Sequence, residues 1–105
     1  MKILSCKINE TPVTVILDSG ANCNIIGKSL VDELGMFHEI NPSFQSKDNE
    51  SKKVKVTGVS VTNKPELESV LILGQPWFQE NAMKQDFPNK TLTLLDGTSF
   101  EVKCN

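Results

Sequence analysis

The chain has little of what many catalytic sites are built from. A single histidine, His38, serves 105 residues. No serine or cysteine accompanies it in a nucleophile motif, which argues against Ser–His or Cys–His chemistry, and it reads as a solvent-facing residue at a helix exit. Three cysteines, Cys6, Cys23 and Cys104, are an odd count without metal-ligand spacing. Free thiols in a reducing compartment are therefore expected, not a disulfide framework or a metal centre, and Cys23 reads as a small buried hydrophobe. No apolar run approaches the ~20 residues needed to span a bilayer, and Met1-Lys2-Ile3-Leu4 is too short for a signal peptide. Asn9, Asn49 and Asn89 each open an N-glycosylation triplet, a pattern too common by chance to argue secretion. With 11 basic against 13 acidic residues the formal charge is −2, so no nucleic-acid partner is expected, and without a spanning apolar run no membrane partner is expected either. The length suits one domain, residues 1–105, with a modest core.

What is present is mostly short strands. Ile3–Ile8 reads as a first strand, Glu10-Thr11-Pro12 as a turn, and Val13–Leu17 as a second strand. Ile25-Ile26-Gly27 looks like a short buried strand end. Ser29–Gly35 carries helix signals at both ends, with Ser29 as cap and Gly35 as stop. Lys53–Thr57 alternates and continues through Val59 and Val61, predicting a strand whose partner lies near Phe44 and Gln45. The rest of 41–51 reads as loop, with Lys52, Lys53 and Lys55 on a solvated face. Val70–Leu73 is an unbroken apolar run, predicting a strand buried on both faces. Gly74 ends it, and Pro76 suits the first turn of a helix through Trp77, Phe78 and Met83. Asp96-Gly97 between Thr91–Leu94 and Ser99–Val102 is a strong hairpin signal. The sum is an all-β domain with two short helices.

One stretch carries chemistry. Val15-Ile16-Leu17 leads into Asp18-Ser19-Gly20-Ala21, and a carboxylate at the end of a buried strand is costly unless hydrogen-bonded or put to use. Asp-Ser-Gly also favours turns for purely local reasons. On this segment alone both readings stand.

A second apolar-strand-plus-glycine unit, Leu71-Ile72-Leu73 before Gly74, changes the balance. Taken together, Leu17-Asp18-Ser19-Gly20-Ala21-Asn22-Cys23-Asn24-Ile25-Ile26 and Ile72-Leu73-Gly74-Gln75-Pro76-Trp77-Phe78 resemble the retropepsins, the aspartic proteases of retroviruses and retrotransposons. Asp86-Phe87 and the strand after it fit the same likeness, which runs from about Cys6 to Val102. It implies a single-lobe β-barrel that forms a two-fold dimer. One departure is visible: Thr62–Val70 is too short for the β-hairpin that relatives carry there, at ~3.3 Å per residue, so the middle hairpin is shortened.

By that resemblance Asp18 is catalytic and Ser19, Gly20 and Ala21 support it. Ser19 would brace the two loops across the dimer axis, Gly20 would bring its amide to the carboxylate, and Ala21 would keep the approach clear. Leu73 and Gly74 would pack beneath the site, while Asp48, Asn49, Glu50 and Ser51 would form a flap over an extended peptide. Asn24 stays open between a hydrogen bond near the catalytic turn and a cap or loop role. The implied activity is that of an aspartic endopeptidase cleaving its own retroelement polyprotein, active as a homodimer. It would need no cofactor and no metal, and would work in the cytoplasm or in virus-like particles. The rival reading is a domesticated, catalytically weak domain kept for dimerisation or interaction.

Overall fold

The computed structural model describes residues 2–35, 39–47, 50–86 and 88–104. In chain order its elements are β1 (Lys2–Ile8), β2 (Thr11–Leu17), β3 (Asn24–Gly27), α1 (Lys28–Leu34), β4 (Glu39–Ile40), β5 (Ser43–Gln45), β6 (Ser51–Lys53), β7 (Val56–Thr57) and β8 (Val59–Thr62). A 3₁₀ turn (Pro65–Leu67), β9 (Val70–Leu73), α2 (Gln75–Asn81), β10 (Ala82–Asp86), β11 (Thr91–Leu94), β12 (Ser99–Glu101) and β13 (Lys103–Cys104) follow. The chain is mostly β with two short helices, as its patterning predicts. Neither helix is long and apolar enough to cross a membrane.

β1 and β2 form an antiparallel hairpin, Ile3 opposite Ile16 through Ile8 opposite Thr11. Its turn falls earlier than predicted: Asn9 and Glu10 make it, with φ of 51° and 67°, the left-handed backbone that a tight hairpin of this twist requires. Pro12 lies inside β2, where it is tolerated because β2 gains its second neighbour only from Thr14 onward. Leu4, Cys6 and Ile8 on β1, with Val13, Val15 and Leu17 on β2, point into the core. Burial of each of the larger aliphatic side chains contributes ~1.5–3 kcal/mol.

The main sheet runs β6-β5-β1-β2-β9-β3-β8, with β13 also paired to β1. Seven strands laid flat at ~4.8 Å spacing would separate the outer two by nearly 30 Å. Yet the outer two, β6 and β8, belong to one stretch of chain, with only Val54–Gly58 between them. That connection reaches about 21 Å at full extension, so the sheet must roll into a barrel.

This explains why the strand predicted from Lys53 to Val61 is broken into three. Val54 and Val56 are buried. β7 leaves the sheet to pair with β4, Ile40 opposite Val56. Gly58, at φ 66°, then turns the chain, the alternation of buried and exposed residues ends, and β8 joins β3 in parallel. Val59 is half-buried and Val61 is 51% exposed.

Two further expectations change. Ser29 does not cap α1. Gly27 takes the cap position without a side-chain bond, and Leu30 N–H donates instead to the Glu68 carbonyl. A Cβ on Gly27 would collide with the Leu67 and Glu68 carbonyls, so the 3₁₀ turn both caps the helix and demands the glycine. Gly35 does stop it, at φ 67°, donating to the Val31 carbonyl. α2 ends at Asn81, which places Met83 in β10 rather than in the helix. Between β8 and β9 there is only the 3₁₀ turn, so the shortened middle stands as the sequence indicates.

The core closes with Phe44, Trp77 and Phe100. Phe44 packs edge-on against both rings, at centroid distances of 6.4 and 5.6 Å, a favoured aromatic geometry. Trp77 and Phe78 are buried and fill space under the sheet. β11 and β12 pair around Asp96-Gly97, with Gly97 at φ 91°.

Candidate active site

β9 lies between β2 and β3, parallel to the first and antiparallel to the second. A chain leaving β2 at Leu17 and returning as β3 at Asn24 must therefore cross over the end of β9. Residues 18–23 make that crossing, and Asp18 stands at its start.

The crossing is pinned from below by backbone bonds. Asp18 N–H donates to the Leu73 carbonyl at 3.0 Å, and Gln75 N–H donates to the Ala21 carbonyl at 2.8 Å. The loop's own turn is closed by Ala21 N–H on the Asp18 carbonyl at 3.0 Å. Gly20 N–H then reaches the Asp18 carboxylate, 3.1 Å from Oδ1, a hydrogen bond that orients the side chain. Asp18 is exposed in the single chain. The sequence reading placed a carboxylate beside buried apolar strands; the structure ends the burial one residue earlier, at Leu17.

Gly74 has a steric requirement. A Cβ there would collide with the Cys23 carbonyl and press on that of Ala21. Leu73 is fully buried below the loop. Val70–Leu73 is not buried on both faces, however: Leu71 and Leu73 point inward while Val70 and Ile72 are half-buried. Rolling of the sheet gives this strand an inside and an outside.

Asn24 resolves in favour of the hydrogen-bonding reading. It is only 2% exposed, its Oδ1 accepts from Gly74 N–H at 2.9 Å, and its Nδ2 donates to the Thr57 carbonyl at 3.1 Å. A lone polar residue leading the apolar pair Ile25-Ile26 was the available signal. Thr57 carried none, since it contributes only a carbonyl.

Ser19 is exposed and Ala21 half-buried on the same loop as Asp18. Of the expected flap residues, Asp48 and Asn49 lie outside the described residues, as does His38. Glu50 and Ser51 belong to the β5–β6 hairpin, where Ser51 pairs with Gln45 and the Glu50 carbonyl accepts from Ser46 N–H. That hairpin is built into the barrel wall. β5 pairs with β1, Lys47 N–H donates to the Ser99 carbonyl, and Lys47 Nζ donates to Thr91 Oγ1 at 2.9 Å. Lys52 is likewise not merely solvated: it is half-buried and forms an ion pair with Asp96 at 2.5 Å. The structure brings Asp18, Ser19, Gly20, Ala21, Leu73 and Gly74 together, while Glu50 and Ser51 sit on the β5–β6 hairpin.

Other candidates fall away. Cys6 is buried, which pushes its thiol up to about 12, far from a reactive thiolate. Cys23 is a free thiol, half-buried rather than buried as predicted. Asp86 anchors a turn: the Asn89 side-chain amide donates to it at 2.8 Å and holds its carboxyl below the usual range. Among the described residues no three His, Cys, Asp or Glu side chains gather as a metal cluster would. A surface concavity of about 400 Å³ is lined by Ser5, Cys6, Lys7, Pro12, Ser43, Gln45 and Ser51, without Asp18.

Comparison with known proteins agrees with this geometry. No curated protein matches the chain. Among solved structures, the retroviral protease-like domain of Ddi1 from Leishmania major superposes with a TM-score of 0.72 at 18% identity, covering 98% of this chain and 94% of that one. At that identity the likeness is one of fold. A family model described as aspartyl protease matches residues 4–77, from β1 into α2 and across both halves of the site. The chain therefore belongs to the aspartyl protease family and has the retropepsin-like fold.

Proposed function

We propose that this chain is an aspartic endopeptidase, active as a homodimer, with one Asp18 from each copy forming the catalytic pair. The observation that carries this reading is the state of Asp18: its backbone is anchored to β9, its carboxylate is oriented by Gly20, and its surface is open. One exposed carboxylate is half of the machinery. The chain offers no second Asp-Ser-Gly, and a two-fold axis is the commonest way to supply the other.

Two carboxyls facing each other across such an axis cannot both ionise cheaply, so the pair holds one proton and titrates as a unit; this sharing is the established behaviour of aspartic-protease dyads. The ionised Asp18 takes a proton from a water held between the two. The protonated one donates to the scissile carbonyl as negative charge grows on its oxygen. Ser19 braces the opposed loops by hydrogen bonding across the axis. Ala21 leaves room for the peptide. Leu73 and Gly74 hold the loop from below. The substrate class is an extended polypeptide, and the parent polyprotein of a retroelement is the natural one.

The test is cleavage of polyprotein-derived peptides between about pH 4 and 7, where a proton-sharing pair is partly protonated. Asp18→Asn is expected to lower the rate by at least about 10³-fold while leaving the melting temperature nearly unchanged. Specific activity is also expected to fall on dilution as dimers dissociate. The shortened span between β8 and β9 favours the second reading, a domain retained for dimerisation with weak catalysis. A wild-type protein that dimerises yet cleaves nothing in that pH range decides for it.

A further inference from the structure

The buried bonds around Asn24 form a line that leads to Asp18. The Leu73 carbonyl that accepts from Asp18 N–H and the Gly74 N–H that donates to Asn24 Oδ1 belong to the same peptide group. That group is planar and rigid, so its two ends cannot be oriented independently. The line then continues through the Asn24 side chain, whose Nδ2 donates to the Thr57 carbonyl. Its direction is fixed chemically: Gly74 N–H only donates and the Thr57 carbonyl only accepts, so the oxygen of Asn24 must face the first and the nitrogen the second.

We infer that Asn24 is a positioning residue for Asp18, holding the Leu73–Gly74 peptide plane at the angle that fixes the start of the catalytic loop. This rests on the endopeptidase reading above. The side chain suits the task in both reach and polarity. Leucine has its shape but neither bond. Aspartate keeps an acceptor for Gly74 but presents an oxygen to the Thr57 carbonyl. Serine is too short to span both. Each peptide group in the line also polarises the next in a water-poor setting. The nearly complete burial of Asn24 means that no water can replace a lost bond without a cavity to hold it.

The experiment compares Asn24→Leu and Asn24→Asp with the wild type, in kcat and KM per folded dimer and in amide hydrogen exchange. Asn24→Leu is expected to lower kcat by ten- to a hundred-fold, the scale of a small misplacement at a reacting centre, with KM within about twofold. Asn24→Asp, which keeps the Gly74 bond, is expected to lose at least about fivefold less. The Asp18 amide should exchange faster in Asn24→Leu, together with that of Gly74. A role confined to packing would lower stability in both variants but leave kcat per folded dimer and the Asp18 amide unchanged, and that result overturns the inference. If neither variant folds, the wild-type Gly74 amide decides. It should exchange at least about a hundredfold more slowly than an unstructured glycine, and exchange at the free rate overturns the proposal. Failure of the wild type to cleave any peptide would instead count against the endopeptidase reading, with the exchange measurements still judging the link from Asn24 to Asp18.

Discussion

The Asp18 loop and the β5–β6 hairpin are both short chain reversals at the edge of a barrel, yet they are held by different means. The loop rests on backbone bonds to Leu73 and Gln75 and on a buried side chain, Asn24. The missing Cβ at Gly74 lets it cross β9 in close contact with the backbone. The hairpin is held by the buried Phe44, by pairing with β1 and a backbone bond from Lys47 to Ser99, and by exposed ties from the Lys47 and Lys52 side chains to Thr91 and Asp96. A polar group that is buried must keep its partners, because losing one leaves a desolvated atom unpaired. One at the surface exchanges its partner for water at little loss. The difference teaches where side-chain polar bonds are shielded from water: under the carboxylate, at Asn24, and not at the Lys47 and Lys52 ties of the hairpin.

The contrast breaks most easily at Gly74. Gly74→Ala adds a methyl group where the Cys23 and Ala21 carbonyls already crowd the backbone, so the loop must lift off β9. The expected result is a loss of several kcal/mol of stability, the range of severe over-packing or a broken buried network, with cleavage lost in parallel. Gly97→Ala provides the control. Its added Cβ meets nothing within 4 Å, so only its left-handed φ of 91° resists, at about 1–2 kcal/mol, and cleavage per folded molecule is expected to hold. Thermal melts of the two variants beside their peptide cleavage check this; equal effects would mean that the crossing over β9 is no tighter than a surface turn.

This same contrast explains what was legible in the sequence. Asp18-Ser19-Gly20-Ala21 and Leu71-Ile72-Leu73-Gly74 could be read because their roles depend on residue type: a carboxylate, a glycine without a Cβ, an apolar strand. The β1–β2 hairpin and the β11–β12 hairpin were legible from alternation and turn chemistry. The misreadings came where a distant partner decides. Ser29 looked like a cap, but the Glu68 carbonyl took the free N–H of α1. Lys53–Val61 looked like one strand because alternation does not report that β7 pairs with β4 and β8 with β3, nor that Gly58 takes a left-handed φ between them. Barrel closure is likewise invisible locally, since it arises from which edges one run of chain must join. The flap role of Glu50 and Ser51 rests on resemblance alone, since the bonds of their hairpin to β1, β11 and β12 describe how it is attached and not what its tip covers.

That last point can be sharpened directly. Glu50→Ala and Ser51→Ala alter exposed side chains on a hairpin that is part of the wall. Their effect on KM for an extended peptide is expected to stay within about twofold, the scale of neutral surface changes. A rise well beyond that for either variant would place the hairpin over the substrate and revive its covering role. Steady-state kinetics on the same peptide series used for Asp18→Asn is sufficient.

The smallest expected effect concerns the tie between Lys52 and Asp96. The bond from Lys52, aided by Thr98 N–H at 2.9 Å, holds the Asp96 carboxyl well below its ordinary value. A carboxyl whose folded-state value is depressed contributes stability that is fully present above its unfolded value, near pH 4, and that is lost as pH falls toward the folded one. The wild type should therefore lose melting temperature below about pH 4 slightly faster than Asp96→Asn, which has no proton to take up there. The difference should vanish below the folded-state value, where Asp96 is protonated in both states. Because both side chains are 42% exposed, water and salt screen the pair, so raising the ionic strength should shrink the gap further. A gap that persists unchanged at high salt would show the hairpin to be held by a desolvated contact, and would bring its mode of attachment closer to that of the Asp18 loop.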